Sequence, residues 1–360
     1  MLLFLKVNFD KETTFAEKAK RIDYAGNLIL ITSVTSMLLA LSWGGTLYTW
    51  SSYHILVPLI LGFAGLGLFH TYEATIWCKE PTLPPHIFTN RTTAIAIILG
   101  FIHNMLLFWV VYFLPIYFQG ILGSSSARAG VQLLPTVIMS IPIGIVAGVT
   151  ISSTGRYRPI HFLGFALIAI GLGLFTILDE NTSVAEWVIF QLICAIGLGL
   201  LITAILPAVQ VDLPEKDVGH ATAAYAFMKS YGAIWGVSIP SAIFNSEFSK
   251  QSYRITDIAV REQLSRGNAY SFVNARLVQS FPAQARIQVV EVFGRSLRLT
   301  WQVSIAFAVL SFFLVFVEKE IKMRTTLETE YGLAEKKKEV SPEFGVENSK
   351  FSHDITQAKV

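Results

Sequence analysis

Between Ser124 and Pro159 the chain reads SSSARAGVQLLPTVIMSIPIGIVAGVTISSTGRYRP. A small polar loop opens the stretch, and no charged residue occurs from Ala129 to Ser152. A soluble helix has no use for so long an uncharged run, whereas a bilayer core about 30 Å thick requires one. The short turn Gly155-Arg156-Tyr157-Arg158-Pro159 closes the stretch with two basic residues, the signature of a cytoplasmic connection. One such span and loop predicts an all-α polytopic membrane protein.

Composition carries that reading to the whole chain. Hydrophobic residues make up 53% of the sequence and charged residues 15%, with a mean hydropathy of +0.54. Water would be a poor solvent for such a surface, so the lipid bilayer is the expected partner. Nothing resembles a nucleic-acid surface, because the basic residues are scattered among loops. Cys78 and Cys194 make no disulfide framework. The opening MLLFLKVNFD has too short an apolar core for a signal peptide and reads as the tail of a helix whose beginning is missing.

Hydropathy predicts about eight transmembrane helices, near 24–45, 54–73, 93–117, 129–152, 159–178, 185–208, 219–245 and 299–318. A cytoplasmic segment, 1–23, precedes them. Lys6, Lys11, Lys18, Lys20, Arg21, Lys79, Arg91, Arg156, Arg158 and Lys216 fall on the side that holds both termini, which places that side in the cytoplasm. The outer stretch 246–298 is basic as well, but loops of that length count for little in the rule. Within it, Pro282 to Leu299 is expected to form a helix lying at the interface. The mixed-charge segment 319–360 is expected to be a disordered cytoplasmic tail.

Acidic residues are confined to loops, tails and helix ends, and one basic residue, Lys229, falls well inside a span. An ammonium in lipid costs several kcal/mol unless it meets a cavity or a partner. Lys229 is therefore either a substrate-path or coupling residue, or a lysine that snorkels or pairs with another helix. His103, Asn104, Trp109, Tyr112, Tyr117 and Gln119 crowd the third span, with Asn104, Phe108 and Tyr112 on one face. Gln191, Tyr225, Trp235 and Gln302 add polar or aromatic groups in later spans. These could line a cavity, or serve as interhelical hydrogen bonds and interface aromatics. Gly144-x-x-x-Gly148 and Gly232-x-x-x-Gly236 predict close helix packing, and Pro135 and Pro142 predict a kinked fourth span. No P-loop, H-E-x-x-H, paired-cysteine or G-x-S-x-G pattern is present, so an enzyme is not expected and no cofactor is implied.

Several longer motifs resemble a known family. Arg21-Ile-Asp-Tyr-Ala-Gly-Asn27, Leu41-Ser-Trp-Gly-Gly45, Tyr117-Phe-Gln119, Ala127-Arg-Ala-Gly130 and Leu133-Leu-Pro135 resemble fungal major facilitator superfamily transporters. The nearest group is the fourteen-span drug:proton antiporters, toxin and multidrug efflux pumps among them. Gly148-Val-Thr-Ile-Ser-Ser-Thr-Gly155-Arg156-Tyr-Arg158 resembles the second-half copy of the superfamily's signature loop, with Ser152 where an Asp is usual.

The resemblance implies two inserted spans at 24–73, then the C-terminal six-helix half of a major facilitator fold at 93–318. The third, fourth, sixth and seventh spans would line the cavity, which gives a substrate path of His103, Asn104, Tyr112, Gln191, Tyr225 and Lys229. It further implies proton-coupled efflux of small amphipathic compounds from a plasma membrane, or a vacuolar one, and an N-terminal half missing from this chain. An importer of a metal chelate or another small solute, and a truncated membrane protein inactive in transport, are the alternatives.

Overall fold

Several of the long apolar runs begin on a residue able to cap a helix. In the computed structural model, which describes residues 23–321 apart from 46, 76–77, 79–80, 84, 265–268, 271–272 and the side chain of Lys216, these caps are in place. Helix α1 (Tyr24–Trp43) starts from Asp23, whose carboxylate accepts from the Gly26 amide at 2.9 Å. Ser52 caps α2 (Tyr53–Glu73), and Asn90 caps α3 (Arg91–Ile116) through the amides of Thr92 and Thr93. Ser125 caps the short α4 (Ser126–Gln132), which is followed by α5 (Leu134–Thr154). After α6 (Arg158–Phe175), Ser183 and Glu186 form a reciprocal capping box at α7 (Val184–Gln210). Pro214 precedes α8 (Glu215–Gln251), and two short helices, α9 (Ile258–Leu264) and α10 (Ala275–Ser280), lead to α11 (Ala283–Leu314). Among the described residues there is no strand, only an isolated bridge between Gly44 and Tyr48.

Seven of these helical segments are long and apolar enough to cross a membrane. The remaining expected span, the seventh at 219–245, lies in α8, which has ample length at 37 residues but is the most polar of the long helices, with acidic residues in its first turn and Lys229 within it. A helix packed on other helices does not need an all-round apolar surface.

Three expectations are corrected. Residues 283–299 do not form a separate interfacial helix, because α11 runs unbroken through them for 32 residues, about 48 Å at 1.5 Å per residue. The fourth span breaks at Leu133, so Pro135 sits harmlessly in the first turn of α5 while Pro142 lies inside it. Gly148 makes no close helix contact, since a Cβ there would meet nothing within 4 Å. The expectations for residues 1–22 and for the tail from 322 to 360 lie outside the described residues.

Packing is centred on α3, which lies against α7, α8 and α11, whereas α1 and α2 pack mainly on each other. Without a hydrophobic force between helices in lipid, contact depends on close approach. At Gly232 and Gly236 the backbone of α8 presses on the Phe101 and Met105 carbonyls of α3. Gly199 similarly meets Ser140 of α5, and Gly197 and Gly164 bring α7 onto α6. Past α3 the chain makes a π-helical turn, Tyr117–Ile121, immediately after the proline at 115. Glu73 is buried at the end of α2, where its carboxylate accepts from the amides of Thr82 (2.7 Å) and Leu83 (3.1 Å) and pins the connection to α3.

Adding one methyl at Gly232 forces it into the Phe101 carbonyl. We expect Gly232→Ala to cost about 1–3 kcal/mol, and Gly67→Ala, which points into open space, to stay within about 0.5 kcal/mol. Thermal unfolding of the two variants in one detergent measures the difference.

Candidate functional site

The contact between α3 and α8 brings four of the sequence-predicted groups together. Asn104 donates from Nδ2 to the Lys229 carbonyl at 2.7 Å, directly before the Gly232 contact. Phe108 and Tyr112 stack at 6.0 Å between ring centroids, with Tyr112 44% exposed. Tyr225 is buried with its ring over Gly100, and its hydroxyl has no hydrogen-bond partner among the described residues. Lys229 follows Tyr225 by one helical turn, is half-buried, and enters no ion pair or side-chain hydrogen bond among the described residues.

Two rows of side chains run along α8. On one side Phe227, Tyr231 and Trp235 form an aromatic ladder, with Tyr231 also 5.6 Å from Phe101. On the other, Ala223, Ala226, Ser230 and Ile234 are exposed at three- and four-residue spacing. The contrast with α5 is informative, because its exposed face is Val137, Ile138, Ile141, Ile145, Val146 and Val149. A face of bulky aliphatics alone suits lipid; a row that is mostly alanine and serine beside a lysine suits an aqueous or ligand-facing wall.

The other predicted path residues lie elsewhere. His103, one residue from Asn104, turns away into the α3–α7 interface, fully buried, with Nε2 3.0 Å from the Leu198 carbonyl. A carbonyl only accepts, so Nε2 carries the proton and Nδ1 is bare; Nδ1 has no partner among the described residues. Gln191 is fully buried and spends its amide inside the fold. Its Oε1 accepts from Thr136 at 2.9 Å, and its Nε2 donates to the Gln132 carbonyl at 3.1 Å, where α4 breaks from α5. It is a buckle between α7 and the broken helix.

The signature loop forms a second cluster. Gly155 ends α5 in the left-handed region at φ 68°, the conformation glycine adopts without penalty. Arg156 pairs with Glu320 at 3.2 Å on the surface. Arg158 donates to the Val315 and Phe316 carbonyls at the end of α11, satisfying groups a helix C-terminus leaves open. Tyr157, buried in the turn, donates to the Lys319 carbonyl at 2.5 Å. Burial pushes its phenol up to about 12, so it remains a donor through the physiological range.

Sequence reasoning missed the partners of this loop. His161 and Glu318 meet at 2.8 Å with both side chains fully buried. A histidine four residues into an otherwise apolar helix was the available signal. Two surface clefts, of about 250 Å³ beside Gly120–Gly123 and about 490 Å³ beside Arg158 and Phe162, lie apart from Lys229.

Gln191→Leu removes the buckle's hydrogen bonds while keeping bulk. We expect a loss of about 1–3 kcal/mol from the stranded Thr136 and Gln132 groups, read as a lower unfolding temperature, with no change in what the protein binds.

Comparison with known proteins matches residues 17–237 to the Major Facilitator Superfamily. An MFS-type efflux pump of a Fusarium species, LUC4, is 45% identical over 96% of this chain and 62% of its own length. The MFS-type transporter gkaD of Penicillium citrinum is 44% identical over 94% of the chain and 58% of its own. The MFS efflux transporter aclA of Aspergillus oryzae is 45% identical over 92% and 60%. The chain thus spans about three fifths of the length of these relatives.

Proposed function

The chain belongs to the Major Facilitator Superfamily, and on that footing we propose that it forms the substrate-facing part of a secondary transporter that exports small amphipathic compounds. The observation that carries the reading is Lys229, an unpaired amino group among the described residues, beside the exposed row Ala223, Ala226, Ser230 and Ile234. The face it sits on is a wall and not a pocket, so the reading has it close against a second helical bundle, as in a site near the midplane between repeats.

The parts divide the work by chemistry. Tyr112, Phe108 and the Tyr231 ladder offer flat apolar surface to a drug, toxin or other secondary metabolite. Lys229 offers a cation to a carboxylate, enolate or phenolate, strengthened by the low dielectric around it. Asn104 holds the Lys229 backbone and so positions the side chain. Binding and release by rocking of one bundle against another needs no bond chemistry, so the reading is transport and not catalysis. A proton gradient is the proposed driving force and the plasma membrane the proposed location. The names of the relatives, efflux pumps and transporters, support the outward direction.

Lys229→Ala should lower export of an acidic amphiphile by about tenfold or more, the effect of losing about 1.4 kcal/mol, while Lys229→Arg retains most of it. Efflux from loaded cells expressing each variant at matched surface level is the measurement. Unchanged export in Lys229→Ala removes this site.

A further inference from the structure

Helices α6 and α11 pack on each other, and at the end of the bundle that bears the 155–158 turn they leave a cleft of about 490 Å³ between them. That volume lies within the roughly 300–1,000 Å³ of small-molecule sites. The α3–α8 wall makes no use of it.

The cleft is amphipathic along its length. Arg158 and Glu320 stand at its mouth, while Phe162, Leu163, Ala166 and Phe312 line the rest. Ala166 lies about 12 Å beyond Arg158 along α6. Charge is thus set at the end of the span and apolar surface towards its middle, the order of headgroup and acyl chain in a bilayer leaflet. The apolar part opens to the outside of the bundle. Leu163 is 53% exposed, and Phe316, whose ring lies 4.6 Å from that of Phe162, is 57% exposed. Bulky apolar groups at the rim suit lipid chains and not water.

The cations at the mouth have internal partners but donors to spare. Arg158 gives Nε and Nη2 to the Val315 and Phe316 carbonyls, and its guanidinium carbon sits 5.5 Å from the centre of the Phe162 ring. Those bonds use two of the five N–H groups of a guanidinium, and the others have no partner among the described residues. Arg156 meets Glu320 through Nε at 3.2 Å with its side chain 70% exposed, an ion pair that solvent leaves weak. Lys319, between the two acidic residues of this segment, is exposed as well. Glu318 is enclosed with His161, so Glu320 is the one acidic group beside these three cations at the mouth among the described residues.

We propose that this cleft holds one anionic glycerophospholipid of the surrounding bilayer, its phosphate on Arg158 and Arg156 and one acyl chain between α6 and α11 over Ala166. Arginine and phosphate match in geometry, so the headgroup takes Arg156 from its surface pairing with Glu320. Charge complementarity selects the occupant. A zwitterionic lipid leaves the excess of cations unmet, a soluble anion leaves the apolar part empty, and a symmetric second copy sets like charges against each other. Basic residues also mark this end as the cytoplasmic one, the leaflet in which anionic lipids are concentrated. The bound lipid joins the start of α6 to the end of α11. The inference needs only that these helices lie in a membrane and is independent of what the chain transports.

The test is photolabelling of the full chain in phosphatidylcholine nanodiscs. The probes are a phosphatidylserine with a diazirine on one acyl chain and a phosphatidylcholine with the same chain, and labelled peptides are read by mass spectrometry. Labelling within 158–166 and 312–316 is expected to be about fivefold higher or more with the phosphatidylserine probe. Ala166→Trp fills the cleft and should abolish that excess while labelling on the exposed face of α5 stays the same; Arg156→Gln should reduce it. Glycerophosphoserine, the headgroup without chains, should not compete. If Ala166→Trp does not insert, the two probes on the unmodified protein and on Arg156→Gln decide. Equal labelling by the two probes, an excess that survives Ala166→Trp, competition by the free headgroup, or a cross-linked dimer through this cleft overturns the proposal.

Discussion

The structure depends on one constraint: in lipid, no backbone polar group can be left without a partner, and no hydrophobic force pulls helices together. The first half of that constraint makes the chain helical and puts a side-chain cap at the start of most spans. The second makes glycine the residue that decides architecture. Gly232 and Gly236 let α8 lie directly on the Phe101 and Met105 carbonyls, and that contact sets where Asn104 finds the Lys229 backbone. The candidate wall is thus a product of backbone proximity, and its polar and aromatic groups are arranged around it.

The α3–α8 wall and the 155–158 turn use polar groups differently. On the α3–α8 wall, Lys229 and the exposed half of Tyr112 are open to whatever the wall faces. At the 155–158 turn, every charge has an internal role: Arg158 satisfies helix carbonyls, Arg156 pairs with Glu320, and His161 encloses Glu318. Ser152, which stands where the resembled signature loop has an Asp, is exposed and makes no hydrogen bond to the segment after α11 among the described residues. The segment after α11 is held instead by Tyr157 and the buried pair, a fixture of hydrogen bonds in place of a surface charge relay.

Most spans were legible in the sequence because an uncharged run of about twenty residues has few other meanings. The limits of that signal show in particular elements. Composition assigned 283–299 to an interface because charges alternate with apolar residues there, yet helix continuity prevails over charge pattern and α11 runs through. The break at Leu133 was hidden because Pro135 reads equally as a kink or as a first-turn residue. At the site, spacing found Asn104, Tyr112, Tyr225 and Lys229, which share the α3–α8 contact. It could not tell that His103 points to the other side of α3 or that Gln191 is consumed by Thr136 and Gln132, since those depend on partners far away in sequence. His161 stood out in an apolar helix, but its pairing with Glu318 was hidden for the same reason, the two being 157 residues apart along the chain.

If the exposed row on α8 faces a watery, ligand-bearing space, water-soluble reagents reach it. Replacing Ala223, Ala226, Ser230 and Ile234 singly by cysteine, with Cys78 and Cys194 replaced by alanine, lets a hydrophilic maleimide report on each position in intact membranes. The account expects all four to label and to be protected by a transported amphiphile, while cysteines at Ile141 and Ile145 of α5 stay unlabelled. An α8 row as inert as α5 would mean that lipid covers it and that Lys229 does not line a path.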